Sequence, residues 1–262
     1  MGLYDDPFYY DIAFSFRNFP AEVDVFETLI GRHSGRPVKR ILEIACGNAP
    51  HLEEIARRGY EFVGVDRDRN MLAFSRKKAE QAGIDAQFVR SDIRDFKIDP
   101  PADFAFVAVG SLYVENTEDL ERHFSCMAKA LEPGGLYVLD WCVSLSPLLE
   151  HIDRWSMRRK DVRMQCMFRQ VVIDPIAQLA EERVVLDVNH SGKEFTIEET
   201  LRRRLIFPQE FLLMMRHSPD FEFVGWWNHF DPDEPLVWEP DGDCSRILTA
   251  VRRRGGDART LL

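Results

Sequence analysis

Long apolar runs are missing from this 262-residue chain, and so is any surplus of positive charge. No stretch approaches the roughly 20 apolar residues that cross a bilayer as a helix. The start MGLYDDPFYYDIAFSF has no basic segment leading into an apolar one. A cytoplasmic protein with no membrane partner is therefore expected. Lys and Arg number 34 against 44 Asp and Glu, a net charge of −10. A surface that holds nucleic-acid phosphates needs clustered positive charge, so nucleic acid is not an expected partner. The five cysteines, Cys46, Cys126, Cys142, Cys166 and Cys244, lie far apart and form no CxxC pair. That spacing argues for reduced, mostly buried thiols and against a disulfide framework or a metal site.

The chain does have a regular alternation of short apolar runs with longer amphipathic ones. RILEIA (40–45) reads as a buried strand, and APHLEEIARRG (49–59) as a helix with Pro50 in its first turn and Gly59 at its end. A second strand is expected at 60–66, a helix at 69–83 stopping at Gly83, strands at 85–92 and 102–110, a helix at 117–135 and a fifth strand at 136–143. Strands that are nearly continuous apolar runs imply a parallel sheet covered by helices on both faces. The rhythm changes after Val143. SLSPLLEHIDRWSMRRK reads as a helix with turns, followed by β-prone stretches at 162–173, 179–188 and 194–207 divided by Asp174-Pro175 and Asn189-His190-Ser191-Gly192. A helix at 208–218 and strands at 221–230 and 244–254 close the chain. The expected fold is α/β, a doubly wound, mostly parallel seven-stranded sheet with an antiparallel insertion. Residues 39–143 and 208–254 form its core, 144–207 a lid over the ligand edge, 1–38 an N-terminal cap and 255–262 a mobile tail.

In such sheets ligands bind beyond the carboxyl ends of the strands, which directs attention to the loop after the first strand. Glu43 lies inside that strand, Gly47 in the turn, and Asp66 ends the second strand. A carboxylate at Asp66 suits the vicinal diol of a ribose, which either a nicotinamide dinucleotide or S-adenosylmethionine would bring. Scarcity of glycine separates the two. A pyrophosphate needs glycines for close backbone approach and free amides at the helix start, but the turn reads Ala45-Cys46-Gly47-Asn48-Ala49-Pro50 and Pro50 removes one amide. Glu43 is an acid in an apolar strand, a costly placement unless it is paired with a ligand amine or with loop amides.

The stretch EIACGNAPHLEEIARRGYEFVGVDRDRNMLAFSRKK resembles the first two motifs of class I S-adenosylmethionine-dependent methyltransferases, a Rossmann-like family. The usual acid-x-Gly-x-Gly-x-Gly pattern is met by Glu43, Ala45, Gly47 and Ala49, with alanine replacing two glycines. Alanine fits there if φ stays negative. The resemblance implies that Asp66 binds ribose, Asp92 binds the adenine amino group, and Met71 and Ile93 flank the adenine. It implies cofactor contacts from Cys46, Arg67 and Val109 as well, and it extends to LEPGGLYVLD (131–140).

Methyl transfer from a sulfonium is a one-step in-line displacement, so the protein mainly aligns the acceptor, excludes water and, where needed, removes a proton. Tyr113, in the loop after the fourth strand, is a candidate to orient or deprotonate the acceptor. The resemblance to small-molecule methyltransferases implies that the aromatic N-terminal segment closes the pocket, with Tyr4, Tyr9 and Tyr10 as candidates and Arg17 as a partner for the methionine carboxylate. Tyr9 is placed with Tyr113 as a catalytic candidate, and Tyr10 with the cofactor contacts. The insertion offers Trp155, Arg158, Arg163, Met164, Met167, Phe168 and Arg169 for acceptor selection. The expected function is methyl transfer from S-adenosylmethionine to a nitrogen or oxygen of a small molecule, by a monomer or homodimer. The alternative is a catalytically silent binding or adaptor protein on the same fold.

Overall fold

The computed structural model describes residues 2–145, 150–237 and 244–255. Seven strands form the main sheet: β1 (Arg40–Ile44), β2 (Glu61–Asp66), β3 (Ala86–Arg90), β4 (Ala102–Val107), β5 (Leu131–Asp140), β10 (Phe221–Trp227) and β11 (Leu248–Arg253). Their order is β10-β11-β5-β4-β1-β2-β3. The pairs among β1 to β5 are parallel, and β11 runs antiparallel to both β5 and β10. Because β1 pairs with β2 on one side and β4 on the other, the chain reverses its direction of travel across the sheet there, and a crevice opens beyond the strand ends.

Helices cover both faces of this sheet. On one side α2 (Phe19–His33) and α3 (Leu52–Arg57) bury Val23, Phe26, Leu29, Leu52 and Ile55 against Ile41, Phe104 and Phe106. On the other, α5 (Thr117–Ala130) and α6 (Pro208–His217) bury Phe124, Met127, Phe211 and Met215 against Leu42, Val63 and Tyr137. Capping fixes where helices begin and end. In α4 (Arg69–Ala82) the Asp68 carboxylate accepts from Asn70 and Met71 N–H, and Gly83 closes the helix at φ +66°. The N-terminal segment holds two helices: α1 (Pro7–Ala13), capped by Asp6, and the amphipathic α2.

Three expectations change. The helix expected over 49–59 begins only at Leu52, because Ala49 has a left-handed φ of +44° that no helix admits. The helix expected over 117–135 ends at Ala130, and Leu131–Gly135 already belong to β5. Residues 150–159, read as helix, form strand β6 (Glu150–Arg159), paired residue for residue with β7 (Val162–Asp174). With β8 (Leu179–His190) and β9 (Lys193–Arg204) these make a four-stranded antiparallel sheet. One face of it buries Val162, Met164, Cys166, Leu186 and Ile197 against Leu3, Ile12 and Ala13 of the N-terminal segment. The first part of the expected helix, 146–149, and nearly all of the expected tail, 256–262, lie outside the described residues.

Candidate active site

Beyond the ends of β1 and β4 lies a cavity of about 1400 Å³, walled by the β1 and β4 loops, the N-terminal segment and the second sheet. Single-ligand pockets run from about 300 to 1,000 Å³, so there is room for two ligands side by side. Its wall includes Phe14, Phe16, Trp141, Trp155, Phe168 and Trp226, together with polar and charged groups such as Glu43, Asp11, Arg154 and Glu182.

The β1 loop takes left-handed φ at Ala45 (+51°), Gly47 (+51°) and Ala49 (+44°), which overturns the expectation of negative φ at the two alanines. Tethers on every side hold the loop there. Gly47 N–H donates to Asp66 Oδ2 at 2.8 Å, Cys46 N–H to the Val65 carbonyl at 3.0 Å, and the Ser75 hydroxyl to the Gly47 carbonyl at 2.8 Å. Gly64 on β2 makes room for it, since a Cβ there would stand 2.7 Å from Cys46 Sγ. Burial, aided by the charges of Asp66 and Glu43, pushes the Cys46 thiol well up, so it stays protonated and inert. In the facing β4 loop Val109 is also left-handed (φ +49°), and its N–H donates to Asp140 Oδ2 at 2.9 Å.

Beneath the β1 loop runs a buried charge network that sequence reading missed. Glu43, 2% exposed, faces His51 Nδ1 with Oε1 at 2.8 Å, and His51 Nε2 lies 2.8 Å from Glu22 Oε2 on α2. Arg17 clasps Glu22 through Nε and Nη2, and Arg246 bridges Glu22 Oε1 and Asp140 Oδ2 at 2.9 Å each. Burial pushes Glu22 up, but hydrogen bonds from His51 and Arg17 more than reverse this and hold it below the usual carboxylate range. The second oxygen of Glu43, Oε2, is buried with no hydrogen-bond partner among the described residues. Such an atom is costly unless a ligand serves it.

Of the residues singled out from sequence, Glu43, Ala45, Cys46, Val109, Tyr10, Arg17 and Tyr113 line the cavity. Tyr10 is half-buried, its ring packs on Phe14 at 4.6 Å with a tilt of 41°, and burial pushes its phenol up to about 12. Tyr113 donates its hydroxyl to Glu182 Oε2 at 2.9 Å, while Glu182 Oε1 pairs with Arg203 and Arg203 Nη1 donates to the Gly110 carbonyl. Burial and then the Glu182 charge push the Tyr113 phenol far up, so it is no proton acceptor near neutrality. Tyr9 is a correction: its hydroxyl pairs with His190 Nδ1 at 2.9 Å and its ring packs on Phe195, away from the cavity wall.

Gly47, Asp66, Arg67, Met71, Asp92 and Ile93 lie along the same sheet edge but outside that wall. Leu3 and Tyr4 stand on the wall instead, with Asn70 Nδ2 reaching the Tyr4 carbonyl and Tyr4 close enough to feel the Asp66 charge. Asp66 takes N–H bonds from Gly47 and Asp68, and burial still raises it above its ordinary value. Asp92 is gripped by Arg94, which holds it low. Met71 is buried, Arg67 is exposed, and the Ile93 carbonyl faces His123 Nδ1. From the insertion, Trp155 and Phe168 line the cavity, whereas Met164 packs inside the second sheet and Arg169 pairs with Glu150. Arg158, Arg163 and Met167 are not on the wall.

The part of the chain carrying β1 to β4, residues 41–135, matches the family model described as a methyltransferase domain. A dTDP-3-amino-3,4,6-trideoxy-alpha-D-glucopyranose N,N-dimethyltransferase of Streptomyces venezuelae is 29% identical over 129 residues, covering 47% of this chain and 51% of that protein. The chain thus spans about half the length of this relative. Among solved structures, an S-adenosylmethionine-dependent methyltransferase from Clostridium acetobutylicum superposes with a TM-score of 0.74 at 17% identity, covering 95% of this chain and 97% of the other. The sugar N-methyltransferase KedS8 from Streptoalloteichus gives 0.73 at 21% identity, covering 97% and 94%. Likeness at this identity shows the fold alone, a Rossmann-like one.

Proposed function

We propose that this chain transfers a methyl group from S-adenosylmethionine to a nitrogen or oxygen of a small molecule held under the second sheet. The observation that carries this is the unpartnered Glu43 Oε2, a buried carboxylate oxygen of a residue that lines the cavity, in the stretch that matches a methyltransferase domain model. The residues present fit the donor. Glu43 offers Oε2 to its ammonium group, Arg17 stands on the same wall for its carboxylate, and Asp66 keeps lone pairs for ribose hydroxyls beyond the two amides it serves. When bound, S-adenosylmethionine supplies a sulfonium-activated methyl electrophile.

What the chain does is hold and shield. Val109 and Gly110, fixed by Asp140 and Arg203, form the wall opposite the β1 loop. The Tyr113–Glu182–Arg203 cluster joins the second sheet to that wall, which keeps water out and limits the acceptor's approach to one line. We take residues 144–207 as the acceptor-selecting insertion, and the Streptomyces relative and KedS8 favour an amino-sugar-like nitrogen as acceptor. A cytoplasmic setting and a monomer or homodimer complete the reading. No described helix is long and apolar enough to cross a membrane.

The test is to incubate the chain with S-adenosylmethionine and a panel of amino sugars, amines and phenols, following S-adenosylhomocysteine and methylated product by mass spectrometry. Methylated product is expected. A folded chain that binds S-adenosylhomocysteine yet methylates no member of the panel would favour the silent binding protein.

A further inference from the structure

The Glu43–His51–Glu22 arrangement does more than fill space under the loop. We propose that His51 is a positioning residue: its two ring nitrogens clamp Glu43 Oε1 and Glu22 Oε2, so that Glu43 can only present Oε2, and only in one direction, to a cationic ligand group. This rests on the proposed function for the identity of that ligand, whereas the clamp itself rests on geometry. Both nitrogens lie 2.8 Å from a carboxylate oxygen, and His51 and the two acids are 0 to 3% exposed. A neutral imidazole has one N–H and one lone pair, and the lone pair would face a carboxylate lone pair. Two N–H groups satisfy both contacts.

Glu43, facing the ring from β1, and Glu22, facing it from α2, favour that state, whereas Arg17, in the turn before α2 with its Nη2 at 3.3 Å from Nε2, opposes protonation of the ring. Phe19, Phe26 and Phe106 pack around it, and Arg246 and Asp140 reach it through Glu22. Counting a protonated His51, the buried cluster holds three cations (His51, Arg17, Arg246) and three anions (Glu22, Glu43, Asp140) and is neutral. Burial is the largest single influence and pulls the imidazole down, but Glu43 and Glu22 outweigh it together and leave His51 raised. The clamp explains why the second oxygen of Glu43 is orphaned: Oε1 is committed to His51, which leaves Oε2 of this cavity-lining residue unpartnered.

Two substitutions divide the clamp. An Asn amide reaches about as far as Nδ1, so His51→Asn keeps a donor for Glu43 and loses Glu22; His51→Gln reaches as far as Nε2 and does the reverse. Titration calorimetry with S-adenosylhomocysteine is expected to give affinity within about threefold of wild type for His51→Asn and about tenfold weaker for His51→Gln. Equal loss in both, in step with their thermal melts, means a merely structural role and overturns the proposal. A second measurement needs no variant to fold: nitrogen NMR of wild-type protein labelled at histidine should show both His51 nitrogens carrying hydrogen at neutral pH, where a free imidazole has lost one. A ring with one bare nitrogen near neutrality overturns the clamp. Wild-type protein that shows two N–H groups but binds no S-adenosylhomocysteine would retain the clamp and overturn the ligand assignment alone.

Discussion

Ala45 and Ala49 stand where φ is +51° and +44°, and their replacement by glycine tests whether the loop is truly held left-handed. An L-residue in that region costs roughly 1–2 kcal/mol that glycine does not, while glycine's greater unfolded-state freedom takes back about 0.4–1 kcal/mol. At Ala45, which is only partly buried, Ala45→Gly is therefore expected to stabilise the chain by about 0.5–1 kcal/mol. For a chain of this size that is a rise in melting temperature of about 2 °C. Ala49 has the same backbone, but its methyl is fully buried among Ile41, Leu52 and Ile55. Losing it costs about 0.8 kcal/mol, so Ala49→Gly should come out near neutral. Urea unfolding followed by circular dichroism reads both variants against wild type. The reasoning is refuted if Ala45→Gly destabilises the protein, or if the two substitutions are indistinguishable, because the predicted gap between them is the buried methyl.

Three further outcomes follow from other parts of the chain. His123 is fully buried between the Ile93 carbonyl and the Tyr137 hydroxyl, and burial lowers its pKa to about 4. Its folded form stays neutral while the unfolded chain takes up a proton, so stability should be full above about pH 6.5 and fall as pH drops toward 4, by about 3 kcal/mol in all; His123→Gln should flatten that part of the profile in pH-dependent urea melts. Removing Glu182 strands the buried Arg203 guanidinium, so Glu182→Ala should destabilise by about 3–5 kcal/mol, with Glu182→Gln losing less because it still accepts from Tyr113; equal melting temperatures for the two would contradict this. Asp66→Ala should weaken S-adenosylhomocysteine binding by about tenfold or more, measured by calorimetry, and Asp66→Asn should lose less because it keeps an oxygen for Gly47 N–H.

The sheet was legible because its strands are buried on both faces and read as unbroken apolar runs, as in Phe104 to Val107. Strand β6 was not, because residues 150–159 mix charges at a spacing that suits a helix; only pairing along the whole length of β7 makes it a strand. Glu43, Gly47 and Asp66 stood out by type and spacing. The network around Glu43 did not, since Glu22, His51, Asp140 and Arg246 come from α2, the β1 loop, β5 and the approach to β11 and meet only in three dimensions. A signal was available: Asp140 ends β5 as Asp66 ends β2, and an acid closing a buried strand is seldom idle. Tyr9 and Tyr10 are adjacent in sequence yet, about 100° apart around α1, meet different partners, Phe195 for one and Phe14 for the other.

Methyl transfer by this chain requires the cavity beside Glu43 to be a donor site. Calorimetric titration of S-adenosylhomocysteine into the wild-type chain tests this most directly. Saturable one-to-one binding with a micromolar dissociation constant, lost in Glu43→Ala, is the predicted result. A folded wild-type chain that takes up no S-adenosylhomocysteine, or one that binds it as well with Glu43→Ala, would contradict the account.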